Sequence, residues 1–208
     1  MNSPSLKNKV KTLLKDHGRT FSEDLGLSLK SNQPDSLFCL LVASLLFSAR
    51  ISHTAALESA RSFIKHGWTT PQKLLKSKWE QRVKVLDEAG YARFDERTST
   101  MLGDTSQLLV DRYHGDLRNL RKEAKKDPLA ERNLLKQCKG IGDLGASIFL
   151  REAQVAWPEN YPFADARVLS SARKFGLPAD TRELASLVAG PTAFARLVSA
   201  LIRVQLES

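Results

Sequence analysis

The chain has 208 residues and carries a net charge of +9 at neutral pH, because 32 lysines and arginines outnumber 23 aspartates and glutamates. This length supports one or two compact units with a hydrophobic core. The excess of positive charge favours a polyanionic partner, since basic side chains release counterions when they neutralise phosphates. No segment approaches the roughly 18 apolar residues of a membrane span, and the amino terminus lacks the apolar core of a signal peptide. We therefore exclude a membrane protein and expect a cytoplasmic one.

The first half of the chain predicts a succession of helices. Residues 4–17 have apolar side chains at helical spacing with lysines between them, which indicates a basic helix that either packs on the protein body or serves as a DNA arm. Residues 34–50 are apolar on almost every face, as is typical of a helix in the middle of a bundle. Ser52 is a favoured N-cap for the next helix, which Gly67 ends. Pro71 is a favoured first residue of another helix.

The second half continues this helical pattern. A helix that begins near Trp79 is broken by residues 88–93, and a longer helix follows over residues 94–113. Pro128 begins the helix that leads into the next glycine-rich turn. Because no run shows the alternation of a strand, the sequence predicts an all-α fold.

The two cysteines, Cys39 and Cys138, lie far apart in apolar surroundings. Cysteines of this kind are typical of small buried residues in a reduced, intracellular protein. The histidines His53 and His66 belong to no recognisable set of metal ligands, so we expect each to be a surface or capping residue.

A Gly-X-Gly turn ends the helix-forming run KQCKGIG at residues 136–142, and an apolar periodic run begins directly after it. This pattern indicates a helix, a tight hairpin and a second helix ending near Trp157. Gly140 and Gly142 have no Cβ, so their backbone can approach a ligand closely. Phosphate is the expected ligand, because the second helix begins here with free N–H groups and the positive end of its dipole. An ordinary helical hairpin with a glycine stop is the alternative.

The segment GIGDLGAS that begins at Gly140, together with Trp157 and the ADARV segment around Asp165, resembles the helix-hairpin-helix DNA glycosylase superfamily, in particular its endonuclease III branch. In that family the hairpin motif L-P-G-V-G-R-K-T-A is followed by V-D-T-H. Asp165 lies 25 positions after Gly140, close to the spacing in the family. The resemblance is sharp over residues 138–176 and extends weakly over about two thirds of the chain.

The resemblance implies a two-lobed helical fold with a central cleft. One lobe would cover residues 34–157 and end in the hairpin, whereas the second would be built from residues 1–33 and 158–208. The hairpin and Asp165 would lie at the mouth of the cleft. The resemblance also implies a monomer that binds double-stranded DNA, associated with the nucleoid if the source is prokaryotic.

The family pattern also implies which residues contact DNA. Arg50 falls where a polar residue fills the gap left by an extruded base, although an arginine that complements the dipole of its helix is the alternative. Tyr91 falls where an apolar residue is pushed into the duplex, with Arg93 beside it; a simple loop anchor is the alternative for Tyr91. The hairpin contacts would come from Lys139, Gly140, Ile141, Gly142 and Gly145.

The sequence departs from the family at two functional features. Bifunctional members carry a nucleophilic lysine where this chain has Leu144, and Schiff-base chemistry needs an amine. No cysteine follows Cys138, so the four-cysteine iron–sulfur cluster of many relatives is not expected. The resemblance implies no required cofactor, with Na⁺ or K⁺ at the backbone carbonyls of Cys138 and Ile141.

Asp165 is the candidate catalytic residue. It is a favoured N-cap for the following helix, and the family uses this aspartate also to stabilise an oxocarbenium-like sugar and to orient water. The predicted function is therefore a monofunctional DNA N-glycosylase of base excision repair that releases a damaged or mismatched base. The alternative is a non-catalytic helix-hairpin-helix protein that binds damaged or structured DNA. The sequence does not identify the base.

Overall fold

The computed structural model describes residues 3–91 and 94–207, which form helices and connecting turns with no β-strand. This confirms the predicted all-α fold. No helix within these ranges is long and apolar enough to cross a membrane. A 3-10 helix covers Pro158–Asn160, and the α-helices in chain order are α1 (Ser3–His17), α2 (Phe21–Asp24), α3 (Pro34–Phe47), α4 (His53–Lys65), α5 (Pro71–Leu75), α6 (Trp79–Glu88), α7 (Asp95–Tyr113), α8 (Leu117–Glu123), α9 (Pro128–Leu135), α10 (Asp143–Ala153), α11 (Ala166–Lys174), α12 (Thr181–Ala185) and α13 (Gly190–Glu207).

The chain forms two compact units. One combines Met1–Gly26 with Leu150–Ser208, and the other is Leu27–Phe149. The boundary near residue 150 lies within α10. We call them the terminal unit and the central unit.

The central unit is organised around α3. Every residue from Leu37 to Leu46 is buried, as expected for a helix that is apolar on all sides. Helices α4 and α8 pack against it. Truncation of a fully buried leucine such as Leu41 should cost about 2–5 kcal/mol of stability, because the lost contacts leave a cavity.

Side-chain caps set the ends of the helices that follow α3. Ser52 Oγ accepts a hydrogen bond of 3.1 Å from the Ala55 amide, and Thr70 Oγ1 accepts one of 3.2 Å from the Lys73 amide. Pro71 occupies the first turn of α5. These contacts confirm the helix starts predicted from Ser52 and from Pro71.

The terminal unit draws its core from both ends of the chain. Val10 and Leu13 of α1 are buried in a cluster with apolar residues of α11, α12 and α13. This placement favours the packed-helix alternative for α1 over a DNA arm, because its apolar face is already covered.

A buried carboxylate ties α10 to α2 within the terminal unit. Glu152 accepts hydrogen bonds from the backbone amides of Phe21 and Ser22, at 2.7 and 2.8 Å, and one of 3.3 Å from Ser199 Oγ. The first amides of a helix have no acceptor within the helix, so a carboxylate at this end satisfies them. Glu152 thereby fixes the C-terminal end of α10 within its unit.

Candidate functional site

The predicted hairpin joins α9 to α10 in the central unit. Its turn is closed by hydrogen bonds of 3.0 Å from the Cys138 amide to the Leu135 carbonyl and from the Ile141 amide to the Cys138 carbonyl. Cys138 and Ile141 are buried, whereas Lys139 and Gly140 are exposed. The two buried residues therefore anchor a turn whose tip faces solvent.

The two hairpin glycines serve different physical purposes. Gly140 has a φ of +84°, and a Cβ there would lie 2.9 Å from Leu45 Cδ1 and 3.0 Å from Met101 Sδ. Only glycine fits this backbone conformation and this packing. At Gly142, by contrast, a Cβ would meet no atom of the described residues within 4 Å. Open space beside the first amides of α10 is suited to the approach of an anion.

Gly145 has a packing role within the hairpin. It is buried, and a Cβ there would lie 3.3 Å from Ile141 Cδ1. The small residue thus lets α10 pack closely on the Ile141 anchor. Thr105 Oγ1 of α7 supports the other side of the turn by donating a 2.8 Å hydrogen bond to the Lys139 carbonyl.

A cluster of charges lies beside the turn. The exposed Asp143 carboxylate is 2.7 Å from Lys136 Nζ and 3.3 Å from Arg132 Nη2. Hydrogen bonds from Lys136 and Arg132 hold the pKa of Asp143 below its usual range. Arg132 also donates to the Asp143 carbonyl and to Ser147 Oγ, so it fastens α9 to the first turns of α10.

Three of the predicted DNA-binding residues line one cavity of the central unit. Arg50, Tyr91 and Gly140 contribute to a cavity of about 270 Å³, with Arg97 also at its wall. Arg93 lies outside the described residues. The structure therefore brings Gly140 of the hairpin together with Arg50 and Tyr91 at one cavity.

Tyr91 is placed as an anchor within that cavity wall. Its side chain is fully buried, and its hydroxyl donates a 3.1 Å hydrogen bond to the Leu46 carbonyl. Burial raises the pKa of Tyr91 to about 12. A residue inserted between bases must project into solvent, so this placement favours the loop-anchor alternative for Tyr91.

Asp165 lies in the terminal unit at the start of α11. Its Oδ1 accepts hydrogen bonds from the Arg167 and Val168 amides at 3.0 and 3.1 Å, which confirms the predicted N-cap. Its Oδ2 accepts a 2.8 Å hydrogen bond from Arg151 Nε and lies 2.6 Å from Arg151 Nη2 as an ion-pair contact. Both oxygens are therefore engaged.

Arg151 belongs to a buried polar network on α10. Its side chain is 6% exposed and that of Asp165 is 16% exposed. Burial lowers the pKa of Arg151, and the charge of Asp165 partly offsets that effect. Directly after α10, Gln154 exchanges two hydrogen bonds with the backbone of Phe163, at 3.0 and 3.1 Å. Arg151 and Gln154 together fix the segment that carries Asp165.

One comparison with known proteins informs the architecture. No protein-family model and no curated protein sequence matches this chain. Among solved structures, the chain is similar to a trapped endonuclease III–DNA covalent intermediate, an estranged-adenine complex. The match covers 97% of this chain and 85% of that chain, with a TM-score of 0.57 and 15% sequence identity.

The chain has the endonuclease III fold. The match confirms the fold that the resemblance to the endonuclease III branch implied. Within this endonuclease III fold, Leu144 lies in the first turn of α10 with 42% of its surface exposed. The position expected to carry a nucleophilic amine in bifunctional relatives thus presents an apolar side chain to solvent.

Backbone oxygens are the groups through which a monovalent cation would bind at the hairpin. The Cys138 carbonyl accepts the Ile141 amide, which leaves one of its lone pairs for a cation. In the part of the chain that the structure describes, no group of three or more histidine, cysteine or acidic side chains could hold a metal ion. The Na⁺ or K⁺ site at Cys138 and Ile141 stays a prediction.

Sequence reasoning missed Arg151, Thr105 and Arg132. Arg151 offered one signal, because it is charged within the apolar run SIFLREA, and a charged residue on a buried face needs a partner. Thr105 and Arg132 offered none, since their partners depend on how α7, α9 and α10 pack.

Proposed function

We propose that this protein is a monofunctional DNA N-glycosylase of base excision repair. The hairpin would bind the phosphate backbone of duplex DNA, and Asp165 would act on the sugar of an extruded nucleotide. The observation that carries the proposal is the placement of the Asp165 carboxylate, which two backbone amides and the Arg151 guanidinium hold in one orientation.

A fixed carboxylate suits hydrolysis of an N-glycosidic bond. As the bond from C1′ to the base breaks, the electron pair leaves with the base and positive charge develops on the sugar. A carboxylate already in place stabilises this charge without reorganising during the reaction. It can also orient the water that attacks C1′ and accept the proton that this water loses. Arg151 opposes part of this stabilisation, because its positive charge lies next to Oδ2.

The first turn of α10 supports hydrolysis in place of a covalent mechanism. A lyase forms a Schiff base between an amine and the sugar, and Leu144 has no amine to offer. The proposed products are therefore a free base and an intact strand with an abasic site.

A non-catalytic DNA-binding protein is the second candidate. It is favoured by the same ion pair, because a carboxylate that caps α11 and neutralises a buried arginine has a sufficient structural role. In this case the hairpin would bind damaged or structured DNA, and Asp165 would contribute to stability alone.

A panel of duplexes, each carrying one lesion or mismatch, separates the two candidates. Base release is measured directly, and strand breaks are scored with and without hot alkali. Release of a base with alkali-dependent breaks supports the glycosylase. Tight binding without release of any base supports the binding protein.

A further inference from the structure

Lys136 and Asp143 form an ion pair across the Gly-X-Gly turn of the hairpin. Lys136 is the C-cap residue of α9, before the Gly-X-Gly turn, and Asp143 is the first residue of α10 directly after that turn. Their charged atoms are 2.7 Å apart. Lys136 makes no other ion pair within residues 3–91 and 94–207, so Asp143 alone holds its ammonium group.

Arg132 and Lys136 differ in how firmly they are held. Arg132 is bonded to the Asp143 carbonyl, to its carboxylate and to Ser147 Oγ, which makes it a structural link between α9 and α10. Lys136 has one exposed partner and a flexible four-carbon stem. It can therefore turn from the carboxylate to another anion without breaking the hairpin.

The Asp143 carboxylate lies where it opposes a phosphate in two ways. It pairs with the Lys136 ammonium group, which would otherwise bind the phosphate. It also places a negative charge beside the same turn. Its side chain is 71% exposed, so nothing shields it from an incoming backbone. Both effects lower the affinity of the hairpin for DNA.

We propose that Lys136 is a phosphate contact of the hairpin and that Asp143 weakens this contact by competing for the same ammonium group. The inference rests on the proposed binding of DNA by the hairpin and adds two residues to it. Asp143 then sets how strongly the protein holds the backbone of any duplex, whatever its sequence.

A double-mutant cycle tests this proposal on a fully paired duplex. Dissociation constants are measured by fluorescence anisotropy over a range of salt concentrations for wild type, Asp143→Asn, Lys136→Gln and the double variant. Removing one charge about 6 Å from a phosphate changes the dissociation constant by about threefold in water and by up to about a hundredfold at low effective dielectric. We expect Asp143→Asn to bind roughly tenfold more tightly at low salt.

The cycle also isolates Lys136. Because Asp143 restrains it, Lys136→Gln should weaken wild-type binding by a smaller factor than it weakens binding in the Asp143→Asn background, where the ammonium group is free to bind phosphate. For DNA binding by Asp143→Asn, the slope of log K against log salt concentration should be steeper than that of wild type by about 0.9, the value for one more neutralised phosphate. Glu80→Gln is the matched control, since Glu80 is an exposed acid in the first turn of α6, and it should bind like wild type.

Three outcomes would overturn the proposal. Asp143→Asn could bind no more tightly than wild type, or its gain in affinity could be no larger than that of Glu80→Gln. Lys136→Gln could weaken both backgrounds by the same factor. If neither wild type nor Asp143→Asn binds any duplex at low salt, the proposed function itself fails and the Lys136 contact falls with it. Thermal melting of each variant shows that the comparison is made on folded protein.

Discussion

Replacement of Asp165 by asparagine is the change that best tests the proposed chemistry. The amide keeps an oxygen for the Arg167 and Val168 amides, so the N-cap can persist. It removes the negative charge and turns an NH₂ group toward Arg151, whose guanidinium is buried. The variant therefore reports on catalysis and on stability at once.

The expected loss of activity follows from two opposing charges. A carboxylate about 4 Å from the developing positive charge stabilises it by about 4 kcal/mol at an effective dielectric constant of about 20. Arg151 Nε lies 2.8 Å from Oδ2, so its charge is about 4 Å farther away and opposes this by about 2 kcal/mol. Arg151 keeps its charge in Asp165→Asn, so the variant loses the whole carboxylate contribution of about 4 kcal/mol, which corresponds to a roughly 10³-fold slower release of the base.

The expected loss of stability has a separate cause. Breaking a buried ion pair from one side leaves an uncompensated charge, which costs about 3–5 kcal/mol. Replacing both partners, as in Arg151→Met with Asp165→Asn, removes that charge and should restore part of the stability. The double variant also lacks the opposing charge of Arg151, so it should release the base roughly 30-fold faster than Asp165→Asn but still roughly 30-fold more slowly than wild type.

Single-turnover base release, measured well below the melting temperature of each variant, checks the rate, and urea unfolding checks the stability. Release by folded Asp165→Asn within threefold of wild type would refute the catalytic role and leave Asp165 as a helix cap. Equal stabilities of wild type and Asp165→Asn would instead refute the buried ion pair. The release rate and the stability therefore test the catalytic role and the buried ion pair separately.

Three further predictions follow from residues of the hairpin. Because Leu144 offers no amine, borohydride should trap no covalent complex with DNA; trapping that depends on another lysine would contradict this. Gly140→Ala should lower the free energy of unfolding by at least about 2 kcal/mol, since the backbone there has a positive φ and the added methyl group would overlap Leu45. Gly142→Ala should keep the melting temperature of wild type and bind DNA more weakly, because its methyl group would enter open space beside the first amides of α10. Asp143→Asn should slow multiple-turnover release relative to single-turnover release, because tighter backbone binding delays dissociation of the product; equal changes in both rates would contradict this.

Local sequence patterns were sufficient to predict much of the fold. The apolar run over residues 34–50 predicted the buried helix α3, which in the structure covers Pro34–Phe47. The caps at Ser52 and Asp165 were predicted because a capping side chain and its amides are neighbours in sequence. Glycine spacing identified the hairpin for the same reason, since a turn is specified by the few residues that form it.

Features that depend on contacts between distant segments could not be predicted from the sequence. The Asp165–Arg151 pair depends on the loop between α10 and α11, which turns Asp165 back onto the helix that precedes it. Tyr91 would follow a glycine turn both as a residue inserted into DNA and as a loop anchor. Its burial depends on packing against α3, where its hydroxyl bonds to the Leu46 carbonyl. The family pattern implied Gly145 as a DNA contact, whereas its packing against Ile141 depends on how the hairpin folds back onto α10.

The charges around the hairpin bear on the choice between the two candidate functions. A protein whose role is to hold DNA gains affinity from every free cation at its hairpin, so a carboxylate beside Lys136 works against that role. An enzyme that searches many undamaged sites and must release its product is served by moderate affinity for the backbone, provided that other contacts recognise the lesion. The Asp143–Lys136 pair therefore agrees better with the proposed glycosylase than with a static binding protein. The buried Arg151 next to Asp165 points the other way, and the stability and release rates of the Asp165 variants decide between the two arguments.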